Sequence, residues 1–173
     1  LRLDGGTLDV QSVRVEGSLG AGVRVRSGRF SDESLGLTVS GNASSVMTTL
    51  ANAETLPIVE SAYTGNTNDV ITFSEDRVIK DMTLSHLGIP YVAGNGLNIV
   101  GSEEASTTLT IDSGTTLLFG VEKSLSVAIG GALVAVGTPE ALISFAPLDS
   151  EEPGAWQGIR FGGLSDGVST LEY

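Results

Sequence analysis

The residues of this 173-residue chain that could do chemistry are few and scattered. Paired carboxylates are the arrangement that cleaves glycosidic bonds, one protonating the leaving oxygen while the other acts as base or nucleophile. Three adjacent acidic pairs stand out: Asp32-Glu33, Glu103-Glu104 and Glu151-Glu152, the last with Asp149 nearby. All lie in Ser/Gly/Pro-rich turns, where neighbouring side chains point apart and are solvated. Asp149, Glu151 and Glu152 are the candidate for a calcium ion, although no D-x-D-x-D-G loop is present. Arg160 alternates outward beside Ile159 and Phe161, placed either to act as a base next to a carboxylate of a neighbouring coil or to form an ordinary surface ion pair. His86 is the sole histidine and Cys is absent, so neither a His/Cys metal site nor a nucleophile system can be assembled. Trp156, the sole tryptophan, is a platform for a pyranose ring or a packing residue; packing is the expectation, over a corner and shielding Pro153. Asn42-Ala43-Ser44 fits the glycosylation sequon, and Gly94-Asn95-Gly96 is a turn with no helix after it, hence no phosphate loop. No catalytic, metal-binding or cofactor-binding residue is assigned on this reading, and no cofactor is expected beyond that calcium candidate.

Whatever positions these residues must be built from small aliphatics. Hydrophobic residues make up 40% of the chain and aromatics only 5%, which favours flat stacked layers over a core seeded by rings. The net charge of −12 repels phosphates and anionic lipid, so nucleic acid is excluded as a partner. No apolar run reaches spanning length; the longest, Leu125 to Val136, is interrupted by Gly130 and Gly131, so no membrane insertion is expected. The chain starts at Leu1 with no charged-then-apolar leader, so any export signal is expected to be removed or to lie outside this sequence.

Short alternating runs cut by glycine fill most of the sequence. Val13 and Val15 share a face opposite Arg14, and Val23 and Val25 repeat this around Arg24. Gly17, Gly22, Gly28 and Gly41 are placed where positive φ would be needed. In SSVMTTLANAETL, Val46, Leu50 and Ala53 have loosely helical spacing, ended by Pro57. SAYTGNTND is a polar turn cluster and the candidate boundary. From Thr107 to Tyr173 the pattern organises the chain: Leu109 and Leu133 are 24 residues apart (133 − 109) and Ile159 follows after 26 (159 − 133), the period of stacked repeats. Expected inward rows are Leu109 and Ile111; Leu117 and Phe119; Leu125, Val127 and Ile129; Leu133 and Ala135; Ile143 and Phe145; Ile159 and Phe161. Thr108, Thr110, Thr115 and Thr116 form an outward cluster of the kind that orders water on ice-binding solenoids, but Ser126, Val134 and Val136 end the rank.

The segments LGIPYVAGNGLNIVGS, TLTIDSGTTLLFG, GALVAVGTPEALISF, PGAWQGIRF and STLEY resemble, in order and spacing, right-handed parallel β-helix repeat proteins of bacterial extracellular and cell-surface type. The likeness covers roughly Val70 to Tyr173. It implies an all-β fold, a right-handed parallel β-helix over residues 69–173, with residues 1–68 forming extra coils or a smaller β-sheet unit. It implies an extracellular or cell-surface location, and STLEY reads as the start of a further coil. Where that family commonly carries a charged residue this chain has Leu118, which joins Trp156 and Arg160 as the candidate glycan or interface contacts. The expected role is a non-catalytic scaffold, adhesion or assembly module whose partners are copies of itself or further coils of the same protein. The alternative is a carbohydrate-active domain that binds or cleaves polysaccharide.

Overall fold

A computed structural model describes residues 1–102, 105–149, 152–162 and 168–172. The chain is nearly all β, its parallel strands stacked as a β-solenoid of about six turns with almost no helix. It packs as two compact units, Leu1–Ser74 with Leu87–Pro90, and Glu75–His86 with Tyr91–Tyr173.

The first unit holds β1 (Arg2–Leu3), β2 (Thr7–Leu8), β3 (Arg14–Val15), β4 (Ala21–Val25), β5 (Arg29–Phe30), β6 (Thr38–Val39), β7 (Ser44–Thr48), α1 (Leu50–Ala53) and β8 (Asn68–Phe73). β1, β4, β7 and β8 pair in parallel, as do β2 with β5 and β3 with β6, so residues 1–40 are coils of the stack. Val23, Val46 and Ile71 stand in register and are sealed from solvent, as a period-2 strand with one buried face requires. Val46 therefore belongs to a strand, and the expected helix shrinks to one turn before Pro57.

One corner of this unit repeats at a fixed 24 residues. Gly17, Gly41 and Gly65 take φ of 76°, 67° and 89°, conformations that cost a side chain dearly. Beside them, the Ser18 N–H donates to Asn42 Oδ1 at 2.9 Å and the Asn42 N–H to Asn66 Oδ1 at 3.0 Å, each across 24 residues. Asn42 Nδ2 donates to the Val15 and Ser40 carbonyls at 3.0 Å and to Asn66 Oδ1 at 2.9 Å. With Asn42 only 2% exposed, the sequon amide faces inward and is not available to a glycan. Two glycines expected at positive φ are not there: Gly22 and Gly28 are needed for close approach. A Cβ on Gly22 would lie 2.6 Å from Asn42 Nδ2, and one on Gly28 would lie 2.9 Å from the Gly5 carbonyl oxygen.

The second unit holds β9 (Arg77–Val78), β10 (Met82–Leu84), β11 (Tyr91–Ala93), β12 (Leu97–Ile99), β13 (Thr107–Ile111), β14 (Thr116–Phe119), β15 (Leu125–Val127), β16 (Gly131–Val136), β17 (Ser144–Pro147), β18 (Ile159–Phe161) and β19 (Thr170–Glu172). Three parallel faces result, β11-β14-β17, β10-β13-β16-β19 and β9-β12-β15-β18. Leu109 pairs with Leu133 as the 24-residue period requires. Ile159 does not continue that row: it stands opposite Leu125, 34 residues back (159 − 125). The connection from β17 to β18 takes residues 148–158, whereas that from β14 to β15 takes 120–124, and this lengthens the coil. Leu133 is followed instead by Ser169, whose hydroxyl accepts the Leu133 N–H at 3.0 Å.

The expected inward rows hold for Leu109, Ile111, Leu117, Phe119, Leu125, Val127, Leu133 and Ala135, all buried. Ile129 is 51% exposed because β15 ends at Val127 and Ile129 itself lies in the turn with Gly130, which breaks the alternation. Phe161 is 50% exposed on the outer strand of its sheet, and Ile143 and Phe145 are only half-buried. Thr115, expected outside, is buried just before β14, and its hydroxyl has no hydrogen-bond partner. The outward rank on the β10-β13-β16-β19 face reads Thr83, Thr110, Val134, Thr170.

Candidate functional site

A concavity lined by polar side chains lies in the second unit. On the β9-β12-β15-β18 face the outward residues stand in register as Arg77, Asn98, Ser126 and Arg160, one per rung, while Val78, Ile99, Val127 and Leu125 turn inward. At the head of these strands the chain turns through Gly96 (φ 86°), Glu122 (φ 59°) and Gly158 (φ 79°). The turns stack by backbone bonds: the Leu97 N–H donates to Ser124 O at 3.0 Å and the Gln157 N–H to Lys123 O at 2.7 Å. A Cβ on Gly96 would sit 2.8 Å from the Ser124 carbonyl oxygen, so glycine is what allows the two turns to nest.

Asn98 and Ser126 of this rank, with the turns, bound a groove of about 230 Å³ also lined by Asp76, Asn95, Glu122 and Lys123, with Ser124 at its wall. The Ser124 and Ser126 hydroxyls are 3.3 Å apart. Asp76 and Glu122 supply acceptors, Lys123 a donor, and the amides and hydroxyls both. Asp76, Glu122, Lys123 and Asn95 are exposed, Asn98 and Ser126 half-buried.

The three contacts expected from sequence are not brought together. Arg160 is exposed on β18, opposite Ser126, in the outward rank but outside the residues that line the groove. Leu118 is half-buried on a different face, in register with Val92, which is buried, and with half-buried Ala146. Trp156 is half-buried and stacks on Phe119, ring centroids 4.8 Å apart at 14°, so its ring extends the interior while Pro153 stays exposed. Of the acidic pairs, Asp32 and Glu33 are both exposed; Glu103, Glu104 and Glu151 lie outside the described residues. Among the described residues no group of three or more His, Asp or Glu is placed to hold a metal ion.

Tyr63 and Asp69, both at the first unit's corner, have perturbed titrations. Burial pushes the Tyr63 phenol well above its ordinary value, and its hydroxyl donates to the Pro57 carbonyl at 2.7 Å. At Asp69 burial raises the carboxyl, but donation from the Asn66 and Gly65 N–H groups and the Asn66 side-chain amide outweighs it and holds the group below the usual carboxylate range. These bonds tie the corner; neither group faces the groove.

Fold and surface define the molecule as a parallel β-solenoid module with a polar groove on one face. Comparison with family models, with curated proteins and with solved structures returned no match for this chain.

Proposed function

We propose that this chain is a non-catalytic scaffold module of an extracellular or cell-surface protein, serving adhesion or assembly. The observation that carries the reading is the coil-to-coil hydrogen-bonded corner of the first unit, in which Ser18, Asn42 and Asn66 are chained at 24-residue steps beside three left-handed glycines. Side-chain ladders of this kind spend polar groups on holding coils in register, which suits a stiff spacer. The acidic surface, at a net charge of −12, supports a role in open aqueous surroundings away from phosphates and anionic lipid.

The test is mass and shape in solution, by light scattering after gel filtration with electron microscopy of the same fractions, and protease shaving of intact source cells. Ordered filaments or a defined oligomer, with the chain accessible at the cell surface, supports the reading. A monodisperse monomer removes assembly, an intracellular chain removes the surface role, and turnover of any polysaccharide removes the non-catalytic one.

A further inference from the structure

We infer that the β1-β4-β7-β8 face of the first unit docks on the β10-β13-β16-β19 face of a second copy of this chain. This contact rests on the assembly reading and gives it its two surfaces. Charge is divided unevenly along the sequence. Residues 1–30 hold Arg2, Arg14, Arg24, Arg26 and Arg29 against Asp4, Asp9 and Glu16, a balance of 5 − 3 = +2, so residues 31–173 carry −12 − 2 = −14. Arg2 and Arg24 stand directly opposite each other on neighbouring strands, which lie about 4.8 Å apart, and Met47 and Thr72 continue their rank. Like charges so placed repel and weaken a sheet. Arg2 is held by Asp4 at 2.6 Å, but among the described residues Arg24 and Arg26, both exposed, enter no ion pair. A partner that brings carboxylates to this face relieves the repulsion.

The second unit carries the complementary face. Beside the outward rank Thr83, Thr110, Val134, Thr170, exposed Glu172 stands opposite Val136, and exposed Asp112 directly follows Ile111, the partner of Ala135. Among the described residues neither carboxylate is in an ion pair, and these four strands contain no Lys or Arg. Val136 is 41% exposed between the two carboxylates, as half-buried Met47 lies beside the arginines, so each face sets charge around a small apolar centre. Complementary potentials of this kind steer two surfaces together and fix their register. At about 0.15 M salt the Debye length is about 8 Å, so charges inside the contact attract while the net charges of two copies are largely screened from each other. Because the two faces differ, the contact is heterologous: a copy uses its basic face on one neighbour and its acidic face on another.

The experiment follows self-association of the full 173-residue chain by sedimentation equilibrium and light scattering. Protein runs from about 10 μM to 1 mM, the range of weak to moderate contacts. Salt is set at about 0.15 and 1 M, which shortens screening from about 8 Å to about 3 Å. The expected result is concentration-dependent assembly at the lower salt that weakens about ten-fold or more at the higher. Arg24→Glu with Arg26→Glu should abolish it, and so should Asp112→Lys with Glu172→Lys, since each sets like charges face to face. Mixed one to one, the two variants should form a dimer and stop there, because the intact acidic face of the first meets the intact basic face of the second. Circular dichroism checks that each keeps the parent's fold; if a reversal unfolds, Arg24→Gln with Arg26→Gln and Asp112→Asn with Glu172→Asn replace it, each weakening assembly about five-fold. Assembly that ignores salt and survives both reversals overturns this contact and leaves the assembly reading standing, whereas a monomer at every concentration overturns both. A mixture that does not pair overturns the contact. So does a parent that stays monomeric yet binds phosphatidylserine vesicles or polyglutamate through Arg24 and Arg26, since the basic face then has another occupant.

Discussion

Replacing Asn42 by alanine should weaken the solenoid by about 2–4 kcal/mol, far more than a surface amide is worth. The side chain accepts from Ser18 N–H and donates to the Val15 and Ser40 carbonyls and to Asn66 Oδ1, four bonds between 2.9 and 3.0 Å, at a residue 2% exposed. Each such bond is worth about 1 kcal/mol net, more where the partner is left buried and unpaired. The neighbours are only partly buried, so water recovers some of the loss and the sum falls in the range given. For a chain of this length that lowers the melting temperature by roughly 5–15 °C. Asn42→Asp should be worse than alanine near neutral pH, because it faces an anion to the Val15 and Ser40 carbonyls, and the excess should fade as the carboxyl protonates on acidification. The assay is urea and thermal unfolding followed by circular dichroism, with Asn95→Ala as the exposed control. A loss below about 0.5 kcal/mol for both Asn42 variants would refute the ladder as a source of stability.

Other outcomes follow from the same packing. Gly22→Ala should cost about 1–3 kcal/mol, because its Cβ would meet Asn42 Nδ2 at 2.6 Å and Val39 Cγ1 at 2.7 Å; an unchanged unfolding midpoint would mean the corner has slack. Leu109→Ala empties a fully buried site between Met82 and Leu133 and should cost about 2–5 kcal/mol in denaturant unfolding. Asp69, whose folded carboxyl titrates below its unfolded value of about 3.9, adds stability that is present above that pH and lost as pH falls through the folded value. Asp69→Asn should therefore be less stable than the parent at neutral pH and equal to it in strong acid, and a gap that persists in acid would assign the effect to packing. Tyr63, raised by burial, adds stability present below about pH 10 and lost above it; ultraviolet titration should show its phenol ionising only with unfolding.

Much of the fold is legible in residue order. Alternation placed Val23, Val25, Leu109, Ile111, Leu117 and Phe119 inside, because a strand with one buried face admits only a period of two. The first unit's corner was equally open to inspection: Gly17-Ser18, Gly41-Asn42 and Gly65-Asn66 recur at a constant step, but the sequence between them varies enough to mask the repeat. The groove was not legible. Arg77, Asn98, Ser126 and Arg160 are separated by 21, 28 and 34 residues (98 − 77, 126 − 98, 160 − 126), so no period connects them.

By itself, then, the amino-acid order determined the strands, their buried faces and the stacking step wherever coils kept a constant length, since each of these is set by local geometry and by neighbours one coil away. Tertiary structure alone decided which coil Ile159 joins, that Gly22 and Gly28 serve close approach, that Trp156 lies on Phe119, and that four distant polar residues form one rank. The reason is that turn length is free to vary in a solenoid: hydrogen bonds between rungs fix the register of strands, and the loops absorb whatever residues remain.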